Sequence, residues 1–306
     1  MSETLASYTV PEHHVKMYTA NVVAALAKKG GILQSLVSNA TYRGEKCQVI
    51  NFIGKVEFVE RDTVYADTKV TELEHTQTWI VGKEYDCAVF IDRLDTLKMI
   101  YDPTSPYVER FREAAARKID EIIMQKFFAT MKTGKDGTTD TPYQSANTVV
   151  HGSTRFSVAK LRSVRKLIKK KHVDLRTTRP LIAVTADEVD DLLDEVAVGS
   201  SDFNAVKPLV DGEVSQFMGF TFVPYEDDGV VNATNGKGLP ITGNIRTAPV
   251  WVPDGMHFGM WEGLSIVISP RPDKNNIKQI HGTMTAGATR REQGKVFGIE
   301  IDTSAA

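Results

Sequence analysis

Apolar residues recur at steps of three and four from Val108 to Met131, and this spacing predicts a long amphipathic helix. The apolar positions that share one face are Val108, Phe111, Ala115, Ile119, Ile122, Ile123, Phe127 and Met131. The positions expected on the opposite, solvated face are Arg112, Glu113, Arg117, Asp120, Glu121 and Gln125. A continuous stripe of this length requires an equally long partner surface, so we expect the fold to be organised around this helix.

Capping residues predict that the helix runs from Pro103 to Met131. Ser105 carries a hydroxyl of the kind preferred at an N-cap, and Pro106 suits the first helical position. Gly134 follows the last apolar position and is a typical helix stop. At about 1.5 Å per residue, the helix would be roughly 40 Å long.

The residues from 41 to about 91 are predicted to form β structure. Phe52, Val56 and Phe58 alternate with polar residues, and further strands are predicted at residues 63–70 and at Thr76–Ile91. Charged residues recur among the apolar ones, so both faces of this long excursion are expected to be partly solvated. Because an isolated hairpin is only marginally stable in water, it needs another surface to lie on.

Residues 1–40 do not form an independent core. Short helical patches between Val15 and Leu36 are interrupted by Gly30 and Gly31. We interpret this segment as an arm that packs elsewhere, such as on another subunit. The alternative is an N-terminal helix that docks on its own domain.

A second helix is predicted at residues 155–175, after a polar, glycine-rich loop at 133–154. One face of this helix is apolar: Val158, Leu161, Val164 and Ile168. Lys166, Lys169, Lys170 and Lys171 form a basic cluster near its end. A solvated face or an acidic protein partner is favoured there, and a phosphate-binding role stays open.

The run Leu181–Val184 predicts a buried strand that leads into an acidic helix. The carboxylates expected on its solvated face are Asp187, Glu188, Asp190, Asp191, Asp194 and Glu195. The apolar face contains Val189, Leu192, Leu193 and Val196. This helical spacing favours an ordinary solvated surface over a metal site.

The last third of the chain reads mainly as β structure. Phe217, Gly219 and Phe222 predict a strand that ends at Pro224. A glycine-rich loop follows, without the helix pattern that a dinucleotide site requires. The closing run from Phe297 alternates apolar and polar residues and predicts a half-buried strand.

Composition excludes several classes of protein. The chain has 306 residues, of which 42% are hydrophobic and 25% are charged, and this composition is typical of a globular protein. Its formal net charge of −2 is not that of a generally basic nucleic-acid binder. No apolar run is long enough for a membrane span, and the N-terminus is not a secretory signal. Cys47 and Cys87 suggest a reducing compartment, with one long-range disulfide left open.

Motifs for catalysis are absent from the sequence. It contains no HExxH, P-loop, GxSxG or CxxC pattern, and Glu12, His13 and His14 are merely adjacent in the arm. Cys47, His75 and Cys87 match no zinc spacing. We therefore predict no catalytic residue, no cofactor-binding residue, no metal ligand and no cofactor, and we do not expect an enzyme.

The order of elements resembles that of the tailed-bacteriophage major capsid protein, which has the Hong Kong 97-type fold. The nearest local similarity is the run Ser157–Glu195, in which a basic helix precedes a buried strand and a helix with the paired leucines Leu192 and Leu193. The runs Val214–Asp227 and Ala288–Asp302 are similar to later strands of that family. The resemblance in order covers nearly the whole chain and implies an α+β fold.

The resemblance also implies a division into four regions. Residues 1–40 would be the N-terminal arm, and 41–85 the extended β loop. Residues 86–180 and 265–306 would form the peripheral domain, which contains the long helix as its spine. Residues 181–264 would form the axial domain.

The function implied is structural. Copies of the chain would assemble into hexamers and pentamers of an icosahedral shell in the host bacterial cytoplasm. The virion shell would enclose double-stranded DNA without sequence-specific binding, and no membrane is involved. Because the sequence begins at Met1, a scaffold encoded by a separate gene is expected, and Lys166 to Lys171 could meet it if it is acidic. A portal protein and a decoration protein are further expected partners.

Two alternatives remain open from the sequence. An encapsulin-like protein compartment shares the fold and encloses an enzyme instead of a genome. A soluble α+β enzyme would show a deep pocket with perturbed carboxylates. In some capsid proteins a Lys–Asn isopeptide bond joins subunits, but nothing assigns such a bond to Lys55 or Lys69.

Overall fold

A computed structural model describes residues 30–53, 56, 58, 60, 73, 75–91, 104–175, 178–199 and 216–305. The described helices are α1 (Thr104–Lys126), α2 (Val158–Lys170) and α3 (Ala186–Gly199). Short 3₁₀ turns occur at Leu33–Leu36, Ser145–Asn147, Pro253–Gly255, Pro272–Lys274 and Gln293–Lys295. The described strands form three sheets.

Two of these sheets have four strands each. In the order β1-β13-β14-β4, the first contains β1 (Ser38–Thr41), β13 (Met256–Arg271), β14 (Ile277–Arg290) and β4 (Lys83–Ile91). In the order β2-β3-β5-β6, the second contains β2 (Lys46–Ile53), β3 (His75–Val81), β5 (Met131–Thr133) and β6 (Thr139–Thr141). The excursion formed by β2 and β3 is therefore extended edge to edge by the β5–β6 hairpin, since β3 pairs with β5.

The third sheet has seven strands in the order β7-β15-β12-β8-β10-β9, with β11 also paired to β12. Its members are β7 (Thr148–Val149), β8 (Leu181–Val184), β9 (Gln216–Phe217), β10 (Phe220–Pro224), β11 (Ile241–Thr242), β12 (Ile245–Trp251) and β15 (Val296–Asp302). The parallel pair β8 and β10 is joined by a connection that includes α3.

The predicted long helix is confirmed as α1, but its predicted end was wrong. The helix has 23 residues, which corresponds to about 35 Å, and it stops at Lys126. Met131 is buried in β5 instead, and Gly134, with φ +88°, forms a turn. The buried guanidinium of Arg290 donates from Nη1 to the carbonyl oxygens of Phe127 (2.9 Å) and Ala129, so it satisfies the end of the helix where the chain turns away.

The apolar stripe of α1 lies in two hydrophobic clusters. Phe111 packs with Ile91 and Ile280 beside the first four-stranded sheet. Ile119 to Phe127 belong to the main core, where the rings of Phe127 and Trp251 are 4.8 Å apart. One helix therefore joins the core of the seven-stranded sheet to a smaller cluster at its N-terminal half.

Two carboxylates predicted to be solvated are buried instead. Asp120 of α1 and Glu188 of α3 are each only 1% exposed. Glu188 Oε2 accepts hydrogen bonds from the backbone N–H (2.7 Å) and the hydroxyl of Thr185, which is the arrangement of a capping box. Its Oε1 accepts a hydrogen bond of 2.9 Å from Arg246, so the buried charge is paired. The helical spacing alone could not reveal these partners.

The closing strand differs from its prediction in how deeply it is buried and in the strands with which it pairs. Phe297, Ile299 and Ile301 are buried, and Gly298 on the other face is buried as well, where a Cβ would lie 3.1 Å from the ring of Phe128. The strand is therefore covered on both faces instead of half-buried. The predicted peripheral domain grouped residues 296–302 with the spine helix, whereas pairing places them in the sheet of β8. Strand β13 also crosses the predicted boundary between residues 264 and 265.

The predicted strand from Thr76 to Ile91 is divided at Gly82 into β3 and β4, which belong to different sheets. A Cβ at Gly82 would lie 2.8 Å from the ring of Trp261, so a larger side chain does not fit there. The strand predicted at residues 63–70 lies outside the described residues. The predicted loop at 133–154 contains the short strands β6 and β7.

Two other predictions agree closely with the structure. Helix α2 begins after Ser157, whose side chain accepts the N-cap hydrogen bond, and its predicted apolar face is packed into the core. Strand β10 ends at Pro224 as expected. The single strand predicted through Phe217 and Phe222 is divided, however, because Met218 (φ +51°) and Gly219 (φ +83°) form a tight turn between the antiparallel strands β9 and β10.

We predict that Ile122→Asp destabilises the subunit by roughly 3–5 kcal/mol, because an unpaired carboxylate would replace an apolar side chain in the core. Ile122 is 2% exposed. Thermal and urea unfolding measure the effect. Arg112→Asp, on the exposed side of the same helix, is the control, and an equal loss in both variants would contradict the assigned packing.

Candidate inter-subunit surfaces

The buried carboxylate of Asp120 anchors the end of the N-terminal arm to α1. Oδ2 accepts hydrogen bonds from the backbone N–H groups of Gly31 (2.7 Å) and Ile32 (3.2 Å), and Oδ1 accepts one from Leu33 (2.9 Å). These N–H groups begin the 3₁₀ turn Leu33–Leu36, which has no side-chain cap of its own. The spine helix thus supplies an anionic cap to a segment almost ninety residues earlier in the chain.

Gly30 and Gly31 permit this close approach. A Cβ at Gly30 would lie 2.1 Å from the backbone nitrogen of Arg117, so only glycine fits against the helix. Gly31 has φ +84°, a conformation that glycine adopts without strain. The two glycines that appeared to interrupt a helix therefore allow the arm to cross α1.

The chain beyond this anchor is docked on its own subunit. Leu33 is fully buried, and the indole Nε1 of Trp251 donates a hydrogen bond of 3.1 Å to the carbonyl oxygen of Leu36. Strand β1 pairs in parallel with β13. Of the two interpretations of the arm, docking on its own domain holds for residues 30–41, whereas residues 1–29 lie outside the description.

A buried histidine stabilises the pairing of β1 with β13 through side-chain hydrogen bonds. His257 Nε2 is 2.7 Å from the hydroxyl of Tyr42, and Nδ1 is 3.2 Å from the hydroxyl of Ser38. Burial lowers the pKa of His257 to about 4, and the positive charge of Arg291 lowers it further while Asp254 opposes the shift. The imidazole is therefore neutral at physiological pH and holds both partners as a neutral hydrogen-bonding group.

The extended loop exposes apolar side chains at and beyond its distal end. The exposed fractions are 63% for Ile53, 59% for Val56, 103% for Phe58 and 40% for Leu73. We call these four residues the loop patch. Among the described strands, β2 is the edge of its sheet and has a strand partner on one side only. Exposed apolar groups next to an open strand edge are typical of a protein–protein contact.

A cleft of about 330 Å³ lies between the N-terminal half of α1 and the pair β4–β14. Its lining includes Phe111, Ala115, Leu264 and Met284, together with Lys118 at one side. The ammonium of Lys118 is 5.4 Å from the ring centre of Tyr85, which borders the same cleft. The lining is mostly apolar, so the cleft can receive apolar side chains.

The basic cluster of α2 lies on the surface of the subunit. Arg162, Lys166, Lys169, Lys170 and Lys171 are exposed, and we call these five residues the cationic face. Lys160 of the same helix is buried instead, with its ammonium donating to the carbonyl oxygens of Thr154 (2.7 Å) and Glu300 (3.0 Å).

Comparison with known proteins decides the family. The family model described as phage capsid protein matches residues 10–303 of this chain. The chain belongs to the phage capsid protein family. No curated protein matches its sequence.

Solved capsid structures share the fold of this capsid protein. The capsid structure of cyanophage P-SCSP1u matches with a TM-score of 0.70 at 15% identity, over 93% of this chain and 92% of that chain. A structure from Mycobacterium phage Che8 matches with a TM-score of 0.67 at 13% identity, over 93% and 96%. The acidic stable capsid structure of Helicobacter pylori bacteriophage KHP30 gives 0.70 at 9% identity, over 94% and 95%. These matches confirm the predicted α+β fold of the Hong Kong 97 type.

The protein is therefore a structural major capsid protein of a bacteriophage, as predicted. It assembles with copies of itself into capsomers and shells, and it resides in the virion capsid. Family membership favours this assignment over the compartment and enzyme alternatives. Within the described residues, no helix has the length and apolarity needed to cross a membrane.

The sulfur and imidazole groups considered for zinc do not meet in the capsid protein. Cys47 lies opposite Ile80, and His75 lies opposite Ile53 near the other end of the same strand pair. Cys87 belongs to β4 in another sheet, and both cysteines are free thiols. Across the part of the chain that the structure describes, no group of three potential ligands could hold a metal ion.

Several residues weighed in the sequence analysis lie outside the described residues. These are Glu12, His13 and His14 of the arm and Lys55 and Lys69 of the extended loop.

The residues that anchor the arm were missed by sequence reasoning. Asp120 was assigned to the solvated face because it falls opposite the apolar stripe, and His257 received no role. The adjacent glycines at positions 30 and 31 were the available signal, since glycine pairs often mark a close approach of backbone segments. Pattern alone does not identify which carboxylate they approach.

We predict that Asp120→Ala releases the anchor, because three backbone N–H groups lose their acceptor. Each unsatisfied buried donor costs on the order of 1–3 kcal/mol, so hydrogen exchange at Gly31, Ile32 and Leu33 should accelerate by at least roughly tenfold. Asp140→Ala, which breaks only the exposed ion pair with Lys132 (2.7 Å), is the control. Unchanged exchange in Asp120→Ala would contradict the anchor.

The depressed pKa of His257 predicts a loss of stability in acid. Its ordinary value is 6.5 and its folded value is about 4, so the unfolded chain binds more protons between these limits. The contribution is present above pH 6.5 and is lost as pH falls toward 4, by up to about 3 kcal/mol.

Melting temperatures from pH 7 to pH 4 measure this effect. His257→Gln should show a shallower decline than the wild type, whereas His281→Gln, which changes a more exposed histidine, should keep the wild-type slope. Identical slopes for all three proteins would exclude His257 as the cause.

Proposed function

We propose that this capsid protein builds, from hexamers and pentamers, the icosahedral shell that encloses the double-stranded DNA of a tailed phage. Assembly takes place in the cytoplasm of the host bacterium. The observation that carries this proposal is the loop patch, in which Phe58 is 103% exposed and three more apolar side chains are at least 40% exposed. Apolar surface of this kind supports a contact between subunits.

The loop patch and the cleft beside α1 are suited to a contact between copies. One is a projecting apolar group and the other an apolar recess, and they lie on different parts of the same chain. Such a pair generates head-to-tail association, which closes into rings when the rotation between subunits permits. In our proposal, the loop of one subunit covers the cleft of its neighbour, and many such contacts add up around the shell.

The four regions implied by the resemblance are proposed as functional regions of the shell. Residues 1–40 form the arm, anchored at its end by Asp120, and 41–85 form the extended loop. Residues 86–180 and 265–306 form the peripheral domain, and 181–264 the axial domain. The pairing of β15 with β12 supports one change, in which residues 296–302 join the axial domain.

The remaining partners are proposed from the requirements of a phage head. A separate scaffold would guide assembly, a portal would occupy one vertex, and a decoration protein would bind the outer surface. The formal net charge of −2 supports a shell that encloses DNA without strong overall electrostatic attraction between the protein and the DNA.

Negative-stain microscopy of the purified protein tests the proposed function. We expect capsomers, tubes or shells from the protein alone, and uniform shells after coexpression with the scaffold encoded beside it. A monodisperse monomer under both conditions would contradict the shell. Uniform shells of virion size from the protein alone would contradict the need for a scaffold.

We predict that Phe58→Asp prevents assembly while leaving the subunit folded. Burying a phenylalanine contributes about 1.5–3 kcal/mol, and the contact is repeated at every subunit. Val230→Asp is the matched control, since Val230 is 82% exposed and lies outside the loop patch. Light scattering measures assembly, and unfolding should stay within about 0.5 kcal/mol of wild type for both variants. Normal assembly of Phe58→Asp would remove the loop patch from the interface.

A further inference from the structure

We propose that the cationic face of α2 binds the phosphate backbone of duplex DNA inside the shell. This inference rests on the proposed function, in which the shell encloses double-stranded DNA. It adds a defined contact surface to a protein whose overall charge gives no net attraction to DNA.

The charge of this surface is of one sign and is not used in ion pairs within the described part of the subunit. No acidic residue occurs between Val158 and Val173. In the described part of the chain, none of the five side chains of the cationic face forms an ion pair. Because these cations pair with no carboxylate among the described residues, the cationic face can neutralise the charge of another molecule.

The geometry suits a repeating anion. Arg162 and Lys170 are eight positions apart on one face of α2, which corresponds to about 12 Å along the helix axis. A duplex presents roughly seven phosphate charges over that distance. The side chains border a shallow depression of about 650 Å³, with Arg165 at one edge. Arg165 Nη1 donates a hydrogen bond of 2.8 Å to the carbonyl oxygen of Met218, which fixes that edge.

Helix stability accounts for only part of the cluster. Cations in the last turn of a helix interact favourably with its dipole, and this explains Lys169, Lys170 and Lys171. Arg162 and Lys166 lie one to two turns earlier, where the dipole effect has faded. They extend the positive charge along the helix and are explained by an external anion.

The observations favour DNA over an acidic protein. Protein interfaces depend on apolar or aromatic anchors, but the exposed positions of α2 other than these cations hold only Ala159 and Ser163. The acidic face of α3 on a second copy is a poor complement. Asp187 and Asp191 are already paired with Arg246 and Arg155, and Glu195 accepts a hydrogen bond of 2.6 Å from the backbone N–H of Val158. Asp190 and Asp194 are then left against five cations. Phosphate contacts require charge and hydrogen-bond donors but no apolar anchor.

Binding of unassembled wild-type protein to a fluorescent duplex of random sequence, measured by anisotropy over a range of salt concentrations, tests the inference. We expect binding that is independent of sequence, with log K falling against log salt at a slope of about −4. The variant Lys166→Gln/Lys169→Gln/Lys170→Gln should bind at least about tenfold more weakly, with a slope shallower by about 3. The control Lys135→Gln/Lys237→Gln/Lys278→Gln removes the same charge from exposed lysines elsewhere and should bind like the wild type.

Three results would overturn the inference. They are the absence of duplex binding by the wild type, equal binding by the two triple variants, and stronger competition by poly-glutamate than by unlabelled duplex. The last result would assign the cationic face to an acidic protein such as a scaffold. Shell formation is measured in the same preparations by microscopy. Failure of the wild type to assemble would contradict the proposed function. If the α2 variant forms normal shells and binds DNA as the wild type does, only the inference on DNA binding would be contradicted.

Discussion

Burial of the apolar stripe of α1 is the interaction on which the rest of the described fold depends. Phe111 joins the small cluster beside the first four-stranded sheet, and Ile119 to Phe127 enter the core of the seven-stranded sheet. Arg290 on β14 satisfies the carbonyl end of the helix, and Asp120 in its C-terminal half caps the arm segment. The helix is thus both a core element and the attachment point for the segments around it, so a change in its packing would disturb several of them together.

The surface of the subunit separates two kinds of contact. Among the described residues, the loop patch exposes four large apolar side chains, one of them at the end of β2, whereas α2 presents a cluster of exposed cations. Apolar contacts between subunits are short-ranged and depend on shape, and contacts with phosphate are long-ranged and depend on salt. This separation allows one chain both to form contacts between subunits and to bind a polyanion. Neither kind of contact requires a net positive charge on the whole chain.

Sequence reasoning predicted the helices and strands better than it predicted which segments pack against them. The periodicity identified α1 and α2, and the alternation around Phe222 identified β10. It failed where a distant segment decides the environment of a residue. Asp120 and Glu188 fall on the polar side of their helices, yet each is buried because a backbone segment or an arginine from another part of the chain covers it. The end of α1 was misplaced because the apolar spacing continues into Met131, which belongs to a strand.

By itself, the sequence determined the spine helix, the basic and acidic helices around a buried strand, and an order of elements that resembles a phage capsid protein. These follow from local periodicity and capping, which depend on residues close together in the chain. Only the tertiary structure decided that the arm crosses α1 at Gly30, that β15 lies beside β12, and that β3 and β4 separate at Gly82. Those outcomes depend on contacts between residues far apart in sequence, where packing and hydrogen bonding outweigh local preference.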